Sequence, residues 1–125
     1  MKMYEHERKY LRVPCQQDVH LVSGSGMNLM AHSDNISAGG VEIICDRMTT
    51  QIIMPSGYQF DPENPIILSL KIDLGEGNII HASCSVQNLR RLSQDSFGLN
   101  LKFKNLERQN GSMLESFVGQ HHGIA

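Results

Sequence analysis

Arg8-Lys9-Tyr10-Leu11-Arg12 sets two arginines four residues apart near the start of the chain. On a helical turn, residues i and i+4 share a face. On an extended segment, even spacing also puts them on one side. Either way, two guanidinium groups can converge on one ligand. A guanidinium fork binds phosphate or the O6/N7 edge of guanine bidentately, and its face stacks on a base. The plainer alternative is two solvated charges on an arm. A second polar set follows at Asn35, Ser37 and Gly40, spaced Asn-x-Ser-x-x-Gly. Asn35 and Ser37 can offer hydrogen bonds from the same side of a strand end. Gly40 gives the backbone freedom to turn and leaves room for a close ligand. The same residues also suit an Asx or Ser turn closed by glycine, with no ligand at all.

Other chemistry is poorly supplied. There is no G-x-S-x-G, no H-E-x-x-H and no P-loop. Gly24-Ser25-Gly26 and Gly75-Glu76-Gly77 lack the third glycine of a dinucleotide fingerprint. Cys15, Cys45 and Cys84 are far apart, without zinc spacing. His6 lies in the charged opening segment, His20, His32 and His81 on polar strand faces, and His121-His122 in the tail. Neither a nucleophile–base pair nor a metal-ligand cluster is visible, so the sequence predicts no enzyme, no metal and no cofactor. A net charge of −2 argues against a general DNA or RNA binder, but not against a small anion held by a local basic cluster. The polar opening, MKMYEHERKY, is no signal peptide, and no apolar run approaches a membrane span. The expected location is the cytoplasm, with reduced thiols. The glycosylation patterns at Asn35 and Asn110 then carry no meaning.

The elements that must position these residues read mainly as β. With 125 residues, a single domain is expected. Val13, Cys15, Val19 and Leu21 alternate with Gln16, Asp18 and His20 as one half-buried strand. Ser23-Gly24-Ser25-Gly26 is a turn, and Met27, Leu29 and Ala31 begin a second strand. The Asn35–Gly40 segment turns the chain into a third strand, with Val41, Ile43 and Cys45 inward. Arg47 to Pro65, rich in Pro and Gly, reads as a loop with a short strand near Gln51–Met54. Ile66, Leu68, Leu70, Ile72 and Leu74 alternate cleanly. After the Gly75–Asn78 hairpin, Ile80, Ala82, Cys84 and Val86 return. Arg90 to Asp95 reads as a polar turn, and Phe97, Leu99, Leu101 and Phe103 as the last strand. Leu106, Met113, Leu114, Phe117 and Val118 then fall at helical spacing. Asn105 is the expected N-cap and Gly119 the expected stop.

Arg-x-x-x-Arg, one strand pair, Asn-x-Ser-x-x-Gly and then alternating strands: in this order the pattern resembles the PilZ domain family. The residues that carry the resemblance are Arg8, Arg12, Asn35, Ser37 and Gly40. It implies a six-stranded antiparallel β-barrel with a C-terminal α-helix, made of an arm over residues 1–12, a barrel with its helix over 13–119 and a tail over 120–125. It also implies a ligand, the bacterial second messenger cyclic di-GMP. Arg8 and Arg12 would grip phosphates and guanine faces. Asn35 and Ser37 would hydrogen-bond a guanine, and Gly40 would let the chain pass close beneath it.

The implied function is a cyclic di-GMP receptor or adaptor, whose arm closes on the ligand and whose output is an unidentified downstream protein. Motility and biofilm formation are among the outputs that the resemblance allows. DNA, RNA and membrane insertion are not expected. Two alternatives belong to other classes. One is a PilZ-like interaction module that binds no nucleotide. The other is a small RNA-binding barrel, which would want exposed aromatics on its strands and a basic groove.

Overall fold

The computed structural model describes residues 11–122. Seven strands form one antiparallel sheet: β1 (Val13–Pro14), β2 (Asp18–Val22), β3 (Asn28–Ile36), β4 (Gly40–Cys45), β5 (Ile67–Asp73), β6 (Ile79–Ser93) and β7 (Ser96–Lys104). Their spatial order is β1-β3-β2-β5-β6-β7-β4, and β4 also pairs back onto β3. That last pairing closes six strands into a barrel, with β1 as an extra strand on the far end of β3. Closure removes the free edges of an open sheet.

The inward rows are the apolar ones that the alternation marks. Val19, Leu21, Ile36, Val41, Ile43, Leu68, Ile72, Ile80, Leu99 and Leu101 are fully buried. Each contributes about 1.5–3 kcal/mol of burial. Two helices accompany the barrel among the described residues. α1 (Arg47–Ile53) lies against β7 and buries Thr50 and Ile53. α2 (Arg108–His122) lies against β6 and β1 and drives Leu114 into the core.

Several elements differ from the sequence expectation. The strand read over Val13–Leu21 is two strands. Pro14 has no N–H for a ladder, and the chain between β1 and β2 is tied to β3 through Ser33. The Ser33 hydroxyl donates to the Cys15 carbonyl and accepts from the Gln17 amide at 2.9 Å. Arg47–Ile53 is a helix, not a loop with a strand. Its Thr- and Ile-rich composition points to a strand, but Asp46 caps it by accepting from the Thr49 amide at 2.7 Å. Arg90–Ser93 continues β6, so that the turn is only Gln94-Asp95. Asn105 is not an N-cap: its φ of 48° is left-handed, and α2 starts three residues later. Gly119 does not stop α2, which runs through it to His122.

Two bulges matter for the site. In β3 the register shifts between Ser33 and Asn35. Up to Ser33 the odd-numbered residues point inward. The extra residue, Asp34, turns Asn35 outward and leaves Ile36 inward. In β6 a shift between Val86 and Asn88 likewise turns Gln87 and Asn88 outward.

Candidate functional site

The β3 bulge brings Asn35 under Arg12. One Arg12 amino group donates to Asn35 Oδ1 at 2.7 Å, and the other to Asn100 Oδ1 at 2.8 Å. Asn100 reaches this point from β7, opposite Glu42 of β4 and Asn88 of β6. The Asn35 amide nitrogen donates to Glu42 Oε1 and Asp34 Oδ2, both at 2.9 Å. Glu42 Oε2 in turn receives an Arg90 amino group at 3.3 Å. The Asn35 amide is therefore oriented from both ends: its oxygen faces a cation and its nitrogen faces carboxylates.

Ser37 and Gly40 lie on the β3–β4 turn beside this cluster. Ser37 is buried, and its hydroxyl oxygen accepts from the amides of Gly39 and Gly40, both at 3.1 Å. The Ser37 amide donates to the Gly40 carbonyl at 2.8 Å. These bonds make the segment a serine-braced turn in its own right. Gly40 is a glycine for a different reason from the one the motif suggests. Its backbone is not in the left-handed region. A Cβ there would lie 2.1 Å from the Leu101 carbonyl oxygen, because β4 meets β7 at this point. The close neighbour that excludes a side chain is thus a strand of the barrel.

Arg12, the Ser37–Gly40 turn, Gln87, Asn100, Lys102, Phe103 and Leu106 line one cavity of about 560 Å³. That volume is in the range of small-molecule sites. Its chemistry is mixed: Arg12 and Lys102 are cationic, Asn100 and Gln87 offer amides, and Phe103 and Leu106 supply an apolar floor. Arg12, Asn35, Ser37 and Gly40 are thus brought together around one end of the barrel. Arg8 lies outside the described residues. Asn100, Glu42, Gln87 and Lys102 were not singled out from sequence. The signal for Asn100 and Lys102 was their place on the outward row of the last strand, and for Glu42 the outward row of the third.

The three cysteines take no part. All are buried and free, and burial pushes the Cys45 and Cys84 thiols up to about 12. Asp46, adjacent to Cys45, raises the Cys45 thiol further. Among the described residues, no group of three or more His, Cys, Asp or Glu is placed to hold a metal ion. No helix among them is long and apolar enough to cross a membrane.

A closed antiparallel barrel with a polar, cation-lined cavity at a strand turn defines a small β-barrel domain with a candidate ligand site. Comparison with known proteins makes this specific. The PilZ domain model matches residues 6–120, and the chain belongs to the PilZ domain family. The fold is similar to that of the Bacillus subtilis inhibitor of motility MotI, at 19% identity and a TM-score of 0.68, over 94% of this chain and 52% of that one. It is similar to the PilZ domain of Escherichia coli YcgR with c-di-GMP, at 11% identity and a TM-score of 0.63, over 92% of this chain and 91% of that one. The K. pneumonia MrkH–c-di-GMP complex matches at 19% identity and a TM-score of 0.60, over 90% of this chain and 51% of that one. At such identities the likeness is one of fold. The chain spans about half the length of the MotI and MrkH chains. A search of curated proteins finds no match.

Proposed function

We propose that this chain is a cyclic di-GMP receptor and adaptor of the cytoplasm, without catalytic activity of its own. The observation that carries the reading is the convergence of Arg12 with Asn35 and Asn100 beside the Ser37–Gly40 turn, at the mouth of a cavity of about 560 Å³. The YcgR domain and MrkH complexes support it, since both hold c-di-GMP in the same fold. The ligand has two phosphates and two guanines. Arg12 supplies charge and a stacking face, joined by Arg8 from the arm over residues 1–12. Asn35 and Ser37 offer guanine contacts, and Gly40 keeps the turn low. To reach a phosphate, Arg12 gives up Asn35 and Asn100, which frees both amides for the base edges. The arm then rearranges over the ligand, and the changed surface is read by a partner protein.

Isothermal titration with cyclic di-GMP tests this directly. Saturable binding is expected, and Arg12→Ala should weaken it by about ten- to a hundredfold, the worth of one or two charge-assisted hydrogen bonds. No heat with the parent protein, or an unchanged affinity in Arg12→Ala, would sink the reading. One observation favours the interaction module that binds no nucleotide. Arg12, Asn35 and Ser37 already satisfy one another or their own turn without a ligand. Partner capture that ignores added cyclic di-GMP would select that alternative.

A further inference from the structure

Phe97 and Phe103 each sit one residue inside an end of β7, six residues apart, or about 20 Å along a strand. The cavity described above is at the Phe103 end. The Phe97 end carries a second, unrelated groove of about 340 Å³, lined by Arg47, Gln51, Tyr58, Leu89, Arg91 and Phe97. Its two arginines come from different elements, the start of α1 and the far end of β6. Both aim at one neutral oxygen. Arg47 donates to the Gln94 carbonyl at 2.9 Å, and Arg91 donates to the same carbonyl at 3.4 Å. The Arg91 Nε donates to the Ser93 carbonyl at 3.1 Å. Neither guanidinium forms an ion pair among the described residues. Two like charges therefore share one uncharged acceptor, and most of their N–H donors have no partner among the described residues.

The surroundings are apolar and aromatic. Arg91 lies 6.0 Å from the centroid of Phe97, and the Tyr58 ring tilts onto Phe97 at 5.9 Å. Tyr58 is 40% exposed, and Met48, next to Arg47 on α1, is 71% exposed. Arg, Tyr, Phe and Met are the side chains that concentrate at the centres of protein interfaces.

We propose that this groove docks an acidic segment of a partner protein, its carboxylates forked by Arg47 and Arg91 and an adjacent apolar side chain laid against Tyr58 and Leu89. Charge complementarity selects the occupant. An unpaired pair of guanidiniums is best completed by carboxylates. A continuous phosphate backbone fits less well, because it is held along a longer run of cations than these two arginines supply, on a chain whose net charge is −2. The groove supplies the output surface that the adaptor reading requires and rests on that reading only for its role. The docking itself does not depend on nucleotide.

The test is fluorescence anisotropy, at low salt and without cyclic di-GMP. The probe is a fluorescein-labelled peptide with glutamates on both sides of one phenylalanine. Saturable binding is expected, weakened about tenfold or more in Arg47→Gln with Arg91→Gln. It should be retained in Lys71→Gln on the exposed face of β5. If the glutamine pair fails to fold, Arg47→Glu with Arg91→Glu supplies a second arm, in which preference should switch to the lysine version of the peptide. The proposal is overturned if the parent shows no saturable binding, or if the glutamine version of the peptide binds as well. It is equally overturned if a single-stranded oligonucleotide binds tighter than the peptide through the same two arginines. Failure to bind cyclic di-GMP would leave this assay untouched, so the two readings fail separately.

Discussion

Gly40→Ala separates a structural from a ligand-contacting role for the glycine of the turn. The added Cβ would sit 2.1 Å from the Leu101 carbonyl oxygen, whereas real Cβ atoms essentially never come within 3.0 Å of a neighbour. β4 and β7 must therefore open by about 0.9 Å at this seam, and the obstacle is backbone, which cannot swing aside. The opening strains the bond from the Phe103 amide to the Gly39 carbonyl at 2.9 Å, and the two amide bonds to the Ser37 hydroxyl. Overpacking of this kind costs about 3 kcal/mol, the upper part of the usual range. With a urea m-value of about 1.5–2 kcal/mol/M for a domain of this size, the midpoint should fall by about 1.5–2 M. Urea denaturation of the ligand-free protein followed by circular dichroism reads this directly. A midpoint shift under about 0.3 M, with m unchanged, would refute the reasoning and return Gly40 to a purely ligand-facing role.

Three further outcomes are expected. Asp46→Ala should cost about 1 kcal/mol by uncapping α1. Hydrogen bonds from Thr49 hold the Asp46 carboxyl below its ordinary value. Its contribution is therefore present above the unfolded value and lost as pH falls through the lower folded one, so urea midpoints of parent and variant should converge in that acid range. Ellman's reagent at pH 8 should find no reactive thiol in the folded protein and all three cysteines after denaturation, because burial keeps Cys45 and Cys84 protonated up to about 12 and raises Cys15 as well. Glu42→Ala removes an acceptor that orients the Asn35 amide, at a cost of about 1 kcal/mol. Calorimetry should show cyclic di-GMP binding about fivefold weaker, with the enthalpy reduced.

What the sequence revealed follows from where burial is one-sided. β5 and β7 present Leu68, Leu70 and Ile72, or Phe97, Leu99 and Leu101, to a single core, so that a period of two is plain. The far part of β6 is not legible in the sequence, because its bulge at Gln87 breaks the alternation, and beyond it the strand leaves the core with Arg90 to Ser93 exposed. α1 was hidden because it buries only Thr50 and Ile53, and its β-branched residues favour a strand. Its cap, Asp46, directly follows Cys45 and in the sequence continues the outward row of the preceding strand. At the site, Arg12 and Asn35 are each legible within a compact local pattern, Arg8 with Arg12 and Asn35 with Ser37 and Gly40, whereas their mutual bond is seen only in the fold. Asn100 was not, because it is 88 residues from Arg12 and only the closing of the sheet brings them together. The sequence reads Gly40 as room for a turn and a close ligand, whereas the Leu101 carbonyl that excludes a Cβ there comes near only through the pairing of β4 with β7, which local spacing does not give.

The order of strands around the barrel also sets how the chain can fold in time. β2–β3, β3–β4, β5–β6 and β6–β7 are neighbours in sequence and can zip from their turns within microseconds. The other two seams join distant segments, Leu21 with Leu70 in one and Ile43 with Leu99 in the other. Loop entropy delays both, which places folding in the slower millisecond-to-second regime of β-rich domains. Gly40 lies on one of these two seams. A side chain there would burden the final zipping of the barrel, and refolding should slow as well as the finished fold weaken.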